Sequence, residues 1–200
     1  SDLYRYEQLK PVDAGDHHRL PTIPRALSKA FPMDYITPSR QGIKVNNVPF
    51  TMKGSIFLSN AQNPPRDKHT QNLNWTVQKL YFLIAGAPGE QQPFARCTIQ
   101  RDDGMTITLD LKGDAEENLD LVQPSPSSVI TSAWSGNTDY WHEKARSEPA
   151  RVFLLTWTND NPWLPVRTVE FSLLNPKAEL VVMGLTGENR REPESKESRK

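Results

Sequence analysis

Seventeen prolines, spread from Pro11 to Pro193, set the upper limit on what this 200-residue chain can build. A background of about 5% would give roughly ten. Each proline removes a backbone donor and stops a helix, so their even spread limits every element to a short length. The pattern predicts short strands joined by turns, not long helices.

The clearest strand signals start after residue 40. Ile43 and Val45 are separated from Val48 and Phe50 by Asn46-Asn47, and asparagine tolerates the positive φ of a tight turn. Cys97, Ile99 and Arg101 lead through Asp102-Asp103-Gly104 to Met105, Ile107, Leu109 and Leu111 at period two. Asp-Gly between two alternating runs is a strong hairpin signal. Residues 55–58, 75–84, 129–134, 151–158, 167–173 and 180–185 read as further strands, while 60–74 reads as a polar loop. Short helical turns are predicted at 25–30 and 140–146. Eight or nine strands of 5–8 residues, with no long amphipathic helix between them, call for antiparallel pairing and two stacked sheets. The expected fold is all-β, an antiparallel sandwich of the jelly-roll kind. Residues 1–40 form an irregular lead-in packed on the core, 41–188 the sandwich, and 189–200 a polar, disordered tail or linker.

Composition narrows the function. Apolar residues make up 36% of the chain and charged residues 24%, with Lys+Arg and Asp+Glu equal at 24. A nucleic-acid partner is not expected, because binding phosphates calls for a basic excess. No apolar run is long enough for a membrane-spanning helix. The single Cys97 excludes an internal disulfide and a cysteine-based zinc site. The first residues carry no signal peptide, and the abrupt start and charged tail read as a piece of a longer chain with covalently linked neighbouring domains.

The usual catalytic motifs are missing: no G-x-S-x-G, H-E-x-x-H or phosphate-cradling glycine loop occurs. His17 and His18 are adjacent and on a strand would face opposite ways, so they read as surface residues. Asp102, Asp103 and Asp110, with the acidic group Asp114, Glu116, Glu117 and Asp120, read as turn and loop residues. Their oxygens suit a structural calcium ion, but no spacing specifies one, and no cofactor or metal is expected.

The aromatics say more. Trp75 and Trp157 lie in alternating apolar runs and read as core. Trp134, Tyr140, Trp141 and Trp163 instead sit at a strand end or in polar loops, near Asn137, Asp139 and His142. A flat ring covers the apolar C–H face of a sugar, and amide, carboxylate and imidazole groups meet its hydroxyls. At ~25 cal/mol per Å², covering ~60–100 Å² of apolar surface yields ~1.5–2.5 kcal/mol per ring. The alternative role for these rings is to pin long loops to the sandwich.

Several segments resemble one family in order: Gly42-Ile43-Lys44-Val45-Asn46-Asn47-Val48-Pro49-Phe50, Leu80-Tyr81-Phe82-Leu83-Ile84-Ala85, Ala133-Trp134-Ser135-Gly136-Asn137, Leu155-Thr156-Trp157-Thr158-Asn159 and Gly184-Leu185-Thr186-Gly187. Over residues 41–187 the chain resembles the galactose-binding-like jelly-roll carbohydrate-binding modules of bacterial polysaccharide-degrading and extracytoplasmic proteins. The resemblance implies the sandwich fold and a secreted or extracytoplasmic location. It transfers no ligand-contact residue.

The expected function is non-catalytic binding of a polysaccharide or oligosaccharide, with Trp134, Asn137, Asp139, Tyr140, Trp141, His142 and Trp163 as the candidate carbohydrate contacts. Two other roles stay open. One is a structural or protein-interaction domain of an extracytoplasmic protein; the other is a polysaccharide lyase or hydrolase working from carboxylates and His142.

Overall fold

In a computed structural model of the chain, residues 9–12, 43–50, 56–61, 63–87, 92–113, 121–122, 125–138 and 148–189 are described. The turns predicted at 25–30 and 140–146, His17, His18, the acidic group 114–120 and the tail beyond Asn189 lie outside them.

Thirteen strands are present among the described residues: β1 (Leu9–Val12), β2 (Ile43–Val45), β3 (Val48–Phe50), β4 (Ile56–Ser59), β5 (Lys68–Trp75), β6 (Lys79–Ala87), β7 (Ala95–Arg101), β8 (Thr106–Gly113), β9 (Leu121–Val122), β10 (Ser128–Thr138), β11 (Glu148–Thr158), β12 (Val166–Leu173) and β13 (Glu179–Glu188). The first sheet runs β1-β13-β6-β11-β10, with β4 also on β13; the second runs β5-β12-β7-β8-β9; β2 and β3 form a separate hairpin. Every pairing is antiparallel. The fold is the all-β sandwich expected from the sequence.

The two sheets share one apolar core. Leu80, Phe82 and Ile84 of β6 and Leu155 and Trp157 of β11 face Cys97, Ile99, Leu109, Val169 and Phe171 of the second sheet. The Phe82 and Phe171 rings meet edge to face at 5.6 Å. Burial pushes the Cys97 thiol pKa far up, so it stays protonated.

The two sheets carry different residue patterns because they are covered differently. The second alternates: Ala95, Cys97 and Ile99 of β7 point inward while Arg96, Thr98 and Gln100 point outward, the signature of one wet face. The first is continuously apolar along Leu80-Tyr81-Phe82-Leu83-Ile84-Ala85 because its other face is also covered. Tyr81, Leu83 and Ala85 there meet Val48 and Phe50 of the β2–β3 hairpin, with Val152, Leu154, Val181 and Met183. Asn46 and Asn47 close that hairpin at φ 49° and 65°, as a tight two-residue turn requires. The Thr186 hydroxyl donates to the Pro49 carbonyl and fixes the hairpin on the sheet.

The structure corrects three expectations. Residues 68–74, read as part of a loop, form with Trp75 the strand β5, an edge strand on β12. Its outward residues are polar and its inward positions (His69, Gln71, Leu73, Trp75) only half-buried, so little apolar signal marks it. The run 75–84 is not one strand. Asn74 adopts φ 50°, and the chain crosses from the second sheet to the first between β5 and β6. Number and length also depart from the expected eight or nine strands of 5–8 residues: thirteen are present among the described residues, from the two-residue β9 to β10 and β11 at 11 residues each.

His69 gives β5 a pH dependence. Burial first, and the nearby Arg66 charge second, lower its pKa below the ordinary 6.5, against an opposing hydrogen bond with Gln71. Arg66 Nη2 lies 2.8 Å from its Nδ1. The unfolded chain therefore takes up this proton at higher pH than the folded one. The stabilisation is complete above 6.5 and is lost as pH falls toward the lowered value. The melting temperature should fall as pH drops through this window, and His69→Gln should flatten the slope. Equal slopes for the two proteins would contradict this account.

Candidate functional site

One end of the sandwich brings together the β11–β12 loop and the β7–β8 turn. Asn159 starts the loop and is buried. Its N–H donates to the Gln78 carbonyl at 2.9 Å, and its Nδ2 to the Val77 carbonyl at 3.0 Å. Its Oδ1 accepts from the Asn161 N–H at 3.1 Å, the local bond that makes asparagine a turn residue. Pro162 pre-sets the next φ, and Leu164 N–H closes the turn on the Asn161 carbonyl at 3.2 Å. Trp163 thus occupies the third position of the turn, at its tip, and is 63% exposed. The loop is tied back where Asp102 N–H donates to the Pro165 carbonyl at 2.9 Å.

The neighbouring turn is the predicted Asp102-Asp103-Gly104 hairpin. Gly104 sits at φ 80°, a conformation that costs glycine no steric clash. Arg101 N–H donates to the Met105 carbonyl at 3.0 Å and Gly104 N–H to the Arg101 carbonyl at 3.2 Å.

Arg101 joins the two segments and is only 3% exposed. Its Nη1 donates to Asp160 and, at 3.4 Å, to Asn159 Oδ1. Its Nη2 reaches Asp103 Oδ2 at 3.0 Å and Met105 Sδ at 3.0 Å. The planar guanidinium suits such a fork of acceptors. Its Nε has no hydrogen-bond partner among the described residues. Asp103 also accepts from the Met105 N–H at 3.0 Å. That bond, then Arg101, holds its carboxyl below the usual range. On the outside, Arg167 pairs with Asp102.

Chemically, this end presents an indole face, the half-exposed Met105 side chain and the carboxylates of Asp102, Asp103 and Asp160. Among the described residues no three His, Cys, Asp or Glu side chains are grouped to hold a metal. All three carboxylates are paired with arginines. Asp103 is held ionised, the opposite of the raised pKa that a general acid needs for glycoside cleavage.

Of the sequence-predicted contacts, Trp163 stands at this end. Trp134 and Asn137 lie on β10, their backbones opposite Val152 and Pro149 of β11, with a bulge between Ser132 and Trp134; their side chains lie outside the described residues. Asp139, Tyr140, Trp141 and His142 also lie outside them. Pro149 and Thr158 are nine residues apart on β11, about 30 Å at strand rise. The backbone of Asn137 and the Trp163 loop therefore stand at opposite ends of that strand.

Arg101 was missed as a site residue, although a signal existed. It falls in phase with the inward Cys97 and Ile99, and a charged residue at a core position needs partners. Comparison with protein-family models, curated proteins and solved structures returned no match.

Proposed function

We propose that the domain binds a polysaccharide or oligosaccharide without cleaving it, with Trp163 as the stacking platform, and that it serves as an extracytoplasmic accessory module. The observation that carries this reading is the exposed indole at the tip of a turn held by Asn159, Asn161, Pro162 and Arg101. An indole that is mostly in water contributes less to the fold through burial than a core tryptophan does. A pre-ordered one spares the ligand much of the ordering cost. Asp102, Asp103 and Asp160 supply acceptors for sugar hydroxyls beside it.

Affinity electrophoresis against a panel of polysaccharides tests the proposal. Retardation by at least one glycan is expected, and Trp163→Ala should abolish it. The variant's stability should stay within about 0.5 kcal/mol of the parent, as surface changes usually do. A folded protein that no glycan retards, or a Trp163→Ala variant retained as strongly as the parent, overturns the reading.

A further inference from the structure

We propose that the outer edge of β10 pairs antiparallel with the same edge of a second copy of this chain, making one continuous sheet across a two-fold axis. The inference is independent of carbohydrate binding. It starts from the four edges of the sandwich. A sheet edge exposes unpaired N–H and C=O groups, and proteins blunt such edges with short strands, proline, lysine or bulges. Opposite β10, the first sheet ends in β1 and β4, four residues each, with Pro11 in β1. The second sheet ends in the two-residue β9 and in β5, which carries the exposed Lys68. β10 is different: it is 11 residues long and contains no proline and no charged side chain. Among the described residues its only strand neighbour is β11.

The sequence of the edge selects the partner. Ahead of the bulge, Ser128-Val129-Ile130-Thr131-Ser132 is a regular five-residue stretch. Read in either direction it has serine at both ends, a β-branched residue next, and isoleucine in the middle. Antiparallel pairing of two copies about Ile130 sets valine against threonine and isoleucine against isoleucine, while Ser128, buried with its N–H donated to the Ser125 carbonyl at 3.1 Å, bounds the paired stretch. Such β-branched cross-strand pairs favour a sheet. Val129, now 52% exposed, gains cover. The stretch carries no charge and the chain has no net charge, so no repulsion opposes the approach. Identical edges meeting about a two-fold axis also close the assembly at a dimer.

Sedimentation velocity on the full chain, from ~1 µM to ~100 µM, covers the affinity range of a modest interface. The mass should rise from that of one chain toward that of two, and the amides of 129–132 should gain hydrogen-exchange protection as concentration rises. Val129→Lys should weaken the dimer ~10-fold or more by setting like charges along the edge. Adding Thr131→Glu to that variant should restore the dimer, because each new ammonium then faces a carboxylate across the two-fold. An unchanged melting temperature of the Val129→Lys monomer shows that the fold is intact. Retardation by glycans should survive the substitution. A parent protein that stays monomeric throughout, or a dimer that Val129→Lys leaves intact, overturns the proposal; a failed charge rescue overturns this register.

Discussion

Trp157→Ala should destabilise the domain by about 3–5 kcal/mol, the usual cost of deleting a buried large aromatic. Trp157 lies on β11 with its side chain in the inter-sheet core, and its backbone is paired with Leu80 on one side and Ser128 on the other. Removing the indole opens a void between two sheets whose backbones are already fixed by pairing, so little collapse can fill it. At about 2–4 °C per kcal/mol for a domain of this size, the melting temperature should drop by roughly 6–20 °C. A loss under about 1 kcal/mol would show that the sheets close over the gap. Set beside the near-neutral Trp163→Ala, this contrast separates a tryptophan buried between the sheets from one that is mostly in water.

The second large effect is expected at Arg101. Arg101→Ala removes hydrogen bonds to Asp160, Asp103 and Asn159 together. A hydrogen bond involving a charged group contributes about 1.5–3 kcal/mol, and bonds that share one side chain do not add. The expected loss is about 2–3 kcal/mol. Asp160 is mostly in water and is re-solvated at once, which keeps the figure from rising further. The same change unpins the Trp163 loop from the hairpin. Binding of any retained glycan should therefore weaken although the indole is untouched, and amides 159–165 should exchange faster. Arg101→Lys should rescue only partly, since one ammonium cannot fork to acceptors on both segments. Full glycan retention by Arg101→Ala would assign the guanidinium to stability alone.

The sequence showed best what was local. Asn46-Asn47 and Asp102-Asp103-Gly104 name their own turns, because positive φ and the chemistry of short loops are decided within a few residues. The alternation around Cys97 and Ile99 likewise announces a strand with one wet face. β5 was hidden because an edge strand needs only backbone partners, and a run such as Lys-His-Thr-Gln-Asn can supply those without an apolar stripe. The continuous apolar stretch at 80–85 signalled deep burial. Nothing in it could say that a hairpin 30 residues upstream forms the cover on the second side. The candidate site was half legible: the turn that lifts Trp163 is written in Asn161-Pro162, whereas its tether to Arg101 joins residues far apart in the chain. The spacing of Trp134 and Asn137 from Trp163 was illegible, because it depends on β11 running 11 residues without a break.

Asn159 reaches the crossover between the sheets through Val77 and Gln78, while Pro165 is held by the β7–β8 turn of the second sheet. The segment between them is anchored at both ends to different layers, so it cannot peel away unless the layers part. Its opening should then require most of the energy of global denaturation. A guest arriving at the tip would find its seat already set, and calorimetry should record little loss of chain entropy on capture.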